Sequence, residues 1–191
     1  MSTVMIRAEQ RLDRPGRRER RAERQRLRRL DALSAQLAQL HAIRVLLEQA
    51  AEVVRGGWIQ GAWFAVDGGG RTRAVSAPEL RLTRDHTVTG ACLVGAVVQA
   101  GGGPEAVRSQ PVQRALDLVW HSLREDAAQP VRWCPGPPAR MMHVLDLTHW
   151  NDAPDRTRGE VVGLLHSAAA AADVQRERCR SQQAVLAESL A

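Results

Sequence analysis

The chain has 191 residues and a mass of 21.0 kDa, with 44% hydrophobic and 25% charged residues. That balance disfavours a wholly disordered chain and points to one domain with appendages. No apolar run approaches the roughly 18 residues of a membrane helix, and the N-terminus opens on charges rather than on a signal-peptide core, so a cytoplasmic protein without membrane contact is expected. The net charge of +6 is unevenly placed: residues 1–30 hold 11 Arg against four acids, a net of +7, while the other 161 residues hold 16 Arg and 17 acids, a net of −1.

Along the chain, Met1 to Gly16 ends on a Pro15-Gly16 breaker and is expected to be disordered or loosely helical. From Arg17 to Arg55, 39 residues run without Gly or Pro and predict one long helix, stopped by Gly56-Gly57. Within it Leu33, Leu40, Leu47 and Val54 recur every seven, with Leu30 and Leu37 as companions and Arg44 as an interruption. This imperfect heptad fits a dimeric coiled coil or packing against the chain's own domain. Trp63–Val66 and Arg71–Val75 around Asp67 to Gly70 read as a β-hairpin, followed by a loop over Ser76–Asp85. A helix is predicted over Thr89–Ala100, its small residues Ala91, Gly95 and Ala96 suiting close approach of another helix. Pro111 opens a second one, with Val112, Ala115, Leu116, Val119, Trp120 and Leu123 as its apolar stripe and an end near Asp126. The proline-rich stretch Gln129–Pro138 is expected to be irregular, and Met141–Trp150 to be a short helix. Thr157 and Glu160 have capping-box spacing ahead of Val161, Leu164, Leu165, Ala168 and Ala172, and residues 174–191 extend that helix as a polar tail. The expected fold is therefore mainly α with one small β-hairpin: a basic arm over 1–30, a long helix over 31–56 that continues into the core, a globular domain over 57–173, and the tail.

Chemistry-bearing residues fall into four groups. Arg17, Arg18, Arg20, Arg21, Arg24, Arg26, Arg28 and Arg29 could neutralise nucleic-acid phosphates, which would give salt-sensitive, sequence-independent affinity; a solvated helix paired internally through Glu19 and Glu23 is the plainer alternative. Cys92, near a predicted helix start, has His143 and His149 downstream as possible bases, with Asn151 and Asp152 as orienters, although a buried Cys is more often a small hydrophobe. His121 and His166 read as edge-of-core residues. Cys134, His143 and His149 are separated by eight and five residues, which matches no compact zinc pattern. Gly68-Gly69-Gly70 lacks the helix and Lys of a phosphate loop. No metal or cofactor is therefore expected. Trp58, Trp133 and Trp150 flank loops and could line a groove with Asn151 and Asp152, though core packing and turn-making are the commoner roles.

The blocks Gly57-Trp58-Ile59-Gln60-Gly61, Gly90-Ala91-Cys92-Leu93-Val94-Gly95-Ala96 and Trp150-Asn151-Asp152-Ala153-Pro154-Asp155-Arg156-Thr157 with Glu160-Val161-Val162 resemble an uncharacterised family of small actinobacterial proteins known only as a domain of unknown function. The resemblance covers about Ala42 to Ala172 and leaves the Arg-rich arm and the tail outside. It implies an actinobacterial cytoplasm or a mobile element as the setting, and no activity. The leading expectation is a non-enzymatic nucleic-acid-associated binding or regulatory protein. Its arm would contact phosphates, and its domain would serve oligomerisation, through Leu30, Leu33, Leu37, Leu40 and Leu47, or partner recognition. The alternatives are a coiled-coil adaptor for another protein and a Cys92-dependent enzyme.

Overall fold

A computed structural model describes residues 16–68, 71–76, 87–125 and 129–188. The expectations for the N-terminal residues up to Pro15, the turn at Gly69-Gly70 and the loop over 77–86 fall outside them, while the helix expected to end near Asp126 ends at Arg124. The described elements are five helices and a three-stranded sheet: α1 (Arg17–Gly56), β1 (Phe64–Gly68), β2 (Arg71–Val75), β3 (Thr87–Ala91), α2 (Leu93–Ala100), α3 (Gln110–Arg124), α4 (Pro137–Asn151) and α5 (Arg158–Glu188). The architecture is mainly α with a small antiparallel sheet, as expected, and no described helix is long and apolar enough to cross a membrane.

The long helix forms as its uninterrupted helix formers dictate, and the arm from Arg17 onward is its first part rather than a separate segment. Its apolar seam is covered by α5, which runs antiparallel to it: Arg26 of α1 reaches the carbonyl of Leu186, Gln183 donates to Ser34 Oγ at 3.0 Å, and Arg44 pairs with Asp173 at 3.1 Å. Leu40, Leu47 and Val54 of the heptad are fully buried, and Leu30, Leu33 and Leu37 are half-buried nearer the open end. The described partner of this seam is therefore a helix of the same chain. Arg44, the interruption in the heptad, becomes a cross-helix ion pair that also reaches Glu48 at 2.7 Å; at its exposure this contributes under about 1 kcal/mol. The helices cap each other with arginines. Arg26 donates its Nε to Leu186 O at 2.8 Å at the end of α5, and Arg158 Nη1 donates to Arg55 O at 3.4 Å at the end of α1, satisfying carbonyls that a helix C-terminus leaves open.

The sheet has the order β2-β1-β3. β1 and β2 are the expected hairpin, in register Phe64 to Val75 and Gly68 to Arg71. β3 corrects the expected helix start at Thr89: the β-branched Thr87-Val88-Thr89 pairs with the free edge of β1, with a bulge at Ala65/Val66, and the helix begins only after Cys92. Phe64 and Val66 face the core beneath α2. The close approach at Gly95 is also not to a helix. A Cβ there would lie 2.0 Å from the carbonyl oxygen of Trp63 and 3.4 Å from the Phe64 ring, so the missing side chain lets α2 sit against the strand entry. Gly95→Ala is expected to destabilise the chain by about 3 kcal/mol, the upper end for overpacking, because backbone rather than a flexible side chain must give way; urea unfolding measures it.

α3 buries its predicted stripe, while α4 starts earlier than expected, since Pro137 and Pro138 occupy the first helical turn, where no N–H is needed. The Thr157–Glu160 capping box is present: Glu160 Oε2 accepts from Thr157 N at 2.8 Å and from its hydroxyl at 2.8 Å, which together hold Glu160 below its ordinary pKa. α5 then runs without a break to Glu188, through the described part of the expected polar tail. His121 is fully buried, whereas His166 is exposed and touches Arg55 at 2.7 Å, so the edge-of-core expectation fails for His166.

Candidate functional site: an arginine face, a motif hub and a buried polar cluster

The arginines of α1 are divided by helical geometry. At 3.6 residues per turn Arg17, Arg21, Arg24 and Arg28 fall on one face, with Arg20 beside them, while Arg26 falls with Leu30, Leu33 and Leu37 on the opposite face, towards α5. The structure agrees: Arg21, Arg24, Gln25 and Arg28 border one shallow surface concavity, and Arg26 is tied to the end of α5. Arg18 and Arg29 are exposed but lie about a quarter turn or more from the stripe, Arg29 beside Leu33 and Leu186 at the α1/α5 groove. Glu19 is engaged at the helix start, where its Oε2 accepts from Gly16 N at 2.5 Å. From Arg17 to Arg28 the stripe rises about 16 Å, roughly five base pairs at 3.4 Å each. Helical spacing against the apolar positions of α1 gives this division; what α5 adds is its end, which the Arg26 side chain reaches.

The residues that carried the family resemblance are gathered into one hub. Asn151, at the end of α4 and fully buried, accepts at Oδ1 from Trp58 Nε1 and from Leu93 N, both at 3.0 Å, and donates from Nδ2 to Ile59 O at 3.2 Å and to Asp152 Oδ1 at 2.7 Å. Gln60 Nε2 donates to the carbonyls of Asn151 and Ala153 at 2.9 Å, and Gly61 N donates to Asp152 Oδ1 at 3.0 Å. The Arg156 guanidinium lies 3.9 Å over the Trp150 ring while its Nε donates to Trp150 O at 3.0 Å and its Nη1 pairs with Glu160 at 2.8 Å. One amide therefore ties the end of α4, the loop after α1 and the first residue of α2 together. Trp58 Nε1, the Asn151 amide and Asp152 Oδ1 spend their hydrogen bonds on one another and on backbone, a stitching role, while the Trp150 ring packs under the Arg156 guanidinium. Trp133 lies elsewhere, with the Arg114 guanidinium 4.6 Å over its ring.

Cys92 touches this hub as the N-cap of α2, its Sγ accepting from Gly95 N at 3.4 Å. The helix N–H groups lower its pKa as the sequence suggests, but burial outweighs them and pushes the thiol up from an ordinary 9.0 to about 11. His143 lies eight residues before Asn151 on α4, about 12 Å along the helix from the level at which Leu93 is bound, and His149 is exposed while Cys92 is 1% exposed. The structure does not bring Cys92 to either imidazole. Alkylation of native Cys92 at pH 8 is expected to run at least about 100-fold more slowly than that of a peptide thiol, reflecting its lower thiolate fraction. Iodoacetamide labelling followed by peptide mass spectrometry reads this, and labelling at the free-thiol rate would contradict the burial argument.

A third group is one that sequence reasoning split up. Cys134, on the proline-rich segment, and His143, on α4, meet at Asp117 of α3, and their ligand atoms lie within 4.8 Å of one another. Asp117 is 1% exposed; its Oδ2 accepts from Cys134 N at 3.3 Å and faces Arg140 at 3.5 Å and Arg114 at 3.9 Å. Its Oδ1 lies 3.9 Å from His143 Nδ1, and neither atom has a hydrogen-bond partner among the described residues. The His143 ring is stacked on Trp120 with centroids 3.9 Å apart. His149, the third residue of the sequence-level set, is exposed and takes no part. Asp117 escaped notice because it sits off the apolar stripe of α3, on a side that looks solvent-facing until α4 covers it.

Residues 37–171 match the model of a family of unknown function (DUF6197). No curated protein and no solved structure matches the chain.

Proposed function

Since the chain belongs to this family of unknown function, whose description names no activity, we propose from its geometry that the protein binds nucleic acid through phosphates, using the outward arginine face of α1. One observation carries the reading: Arg17, Arg21, Arg24 and Arg28 are aligned on one exposed face of α1, on the stretch that runs past the end of α5. This stretch is continuous with the part of α1 that packs on α5 and is tethered to it at Arg26, which lowers the ordering cost that a flexible tail pays on binding. Arginine forks suit phosphate oxygens, and such contacts fix position without reading bases. An anionic membrane is a poorer match, because a helix that lies in a bilayer interface needs an apolar face, and the apolar face of α1 is turned towards α5. The hub and core then serve to hold the α1/α5 hairpin, and the binding is stoichiometric rather than catalytic.

The test is fluorescence anisotropy of labelled generic duplex DNA and RNA with the full chain, wild type against a variant in which Arg17, Arg21, Arg24 and Arg28 are all Gln. Gln keeps helix propensity, so the hairpin is retained. Binding by the wild type at about 50 mM salt and its loss in the variant is the expected result. Equal affinity of the two proteins, or no binding by the wild type at low salt, overturns the proposal.

A further inference from the structure

We propose that Asp117, Cys134 and His143 form a binding site for a divalent transition-metal ion of the zinc class, with a fourth position open to solvent or a small ligand. The proposal draws on no part of the nucleic-acid reading. Thiolate, imidazole and carboxylate are the three side-chain ligand types such ions take, and a site with three protein ligands leaves one position free. The geometry divides the labour of the Asp117 carboxylate. Oδ2 is occupied by the Cys134 backbone N–H and approached by Arg140 and Arg114, all between 3.3 and 3.9 Å. Oδ1 is buried and left without a partner, facing the equally unpartnered Nδ1 of His143 at 3.9 Å.

A buried carboxylate oxygen and a buried ring nitrogen that face each other without a hydrogen bond are costly, and an ion between them would satisfy both. The surrounding groups fix ligand orientation. Trp120 stacks on the imidazole with an interplanar angle of 11°, and the Cys134 N–H to Asp117 Oδ2 bond links the two ligands that come from different segments. The nearest cationic atoms of Arg114 and Arg140 are paired with Oδ2, and the Arg114 guanidinium also lies over Trp133. Ligand atoms in a tetrahedral zinc site are roughly 3.5 Å apart, so closure from the present separations takes a movement of about 1 Å, and Cys134 is carried by an irregular segment. The Cys134 thiol donates to Gly136 O at 3.2 Å; on binding, that hydrogen bond breaks, the proton goes to solvent and the sulfur lone pair to the ion, and the thiolate and the Asp117 carboxylate together balance the dication's charge.

The experiment titrates Co²⁺ into the full chain after chelator dialysis and reads the near-ultraviolet thiolate-to-cobalt charge-transfer band together with the visible bands of a four-coordinate ion. One Co²⁺ per chain with a thiolate band that equimolar Zn²⁺ removes is expected. Cys134→Ser should abolish the band, His143→Gln should weaken Co²⁺ binding at least about 10-fold, and Cys92→Ser and Cys179→Ser should leave the band unchanged. A wild-type chain that shows no thiolate band, or a band that survives unaltered in Cys134→Ser, overturns the proposal. If Cys134→Ser does not fold, the wild-type titration and His143→Gln decide it.

Discussion

Single Arg→Gln changes along the outward face of α1 should each lower duplex affinity and reduce the salt slope by about one, whereas Arg26→Gln should leave both nearly unchanged and instead loosen the α1/α5 pairing. Each phosphate neutralised contributes about 0.9 to the slope of log affinity against log salt. Four contacts from Arg17, Arg21, Arg24 and Arg28 therefore give a slope near −3.6, and a loss of roughly 150-fold in affinity between about 50 and 200 mM salt. Arg26 differs because its guanidinium is turned to the carbonyls of Leu186 and Ala187, so its loss should show in unfolding rather than in binding. Anisotropy titrations at several salt concentrations on each single variant separate the two behaviours.

The second large effect belongs to the hub. Asn151→Ala should destabilise the chain by about 3 to 4 kcal/mol, because it strands the Trp58 indole N–H and the Leu93 backbone N–H, each costing roughly 1–3 kcal/mol when buried without a partner. At roughly 2–4 °C per kcal/mol for a chain of this size, the midpoint of thermal unfolding should fall by about 10 °C. Gln60→Ala should cost far less, since Gln60 donates at a more exposed position. Circular dichroism melts distinguish these outcomes. A small effect of Asn151→Ala would mean that Trp58, Asn151 and Asp152 answer to a ligand rather than to the fold.

What could be read from the residues alone follows the range of the interactions. α1, α3 and α5 were legible because their signals are local: an unbroken run of helix formers, an apolar stripe at helical spacing, and a Thr157–Glu160 cap. β3 was not, because Thr87-Val88-Thr89 is too short to announce a strand and is held by an edge of β1 that lies over twenty residues away. The partner of the heptad was equally hidden, since Leu40 and Leu47 look the same whether a second copy or α5 covers them. The arginine cluster is legible as charge and its outward stripe as helical spacing, whereas the capping of α5 by Arg26 depends on where that helix ends. Cys134 and His143 were both noticed, but the third member of their cluster is Asp117 rather than His149, because α3, α4 and an irregular segment meet there. At Cys92 the helix N-terminus suggested a reactive thiol; burial reverses that, since desolvation of a thiolate outweighs a few N–H dipoles.

Phosphate binding by the outward arginine face of α1 is the proposal on which the functional reading depends. Its most direct test is the salt dependence of duplex affinity, measured side by side for the wild type and the variant with Arg17, Arg21, Arg24 and Arg28 changed to Gln. A slope near −3.6 is expected for the wild type and no measurable binding at about 50 mM salt for the variant, with both proteins equally helical. Equal slopes in the two proteins would contradict it and move the binding surface off α1.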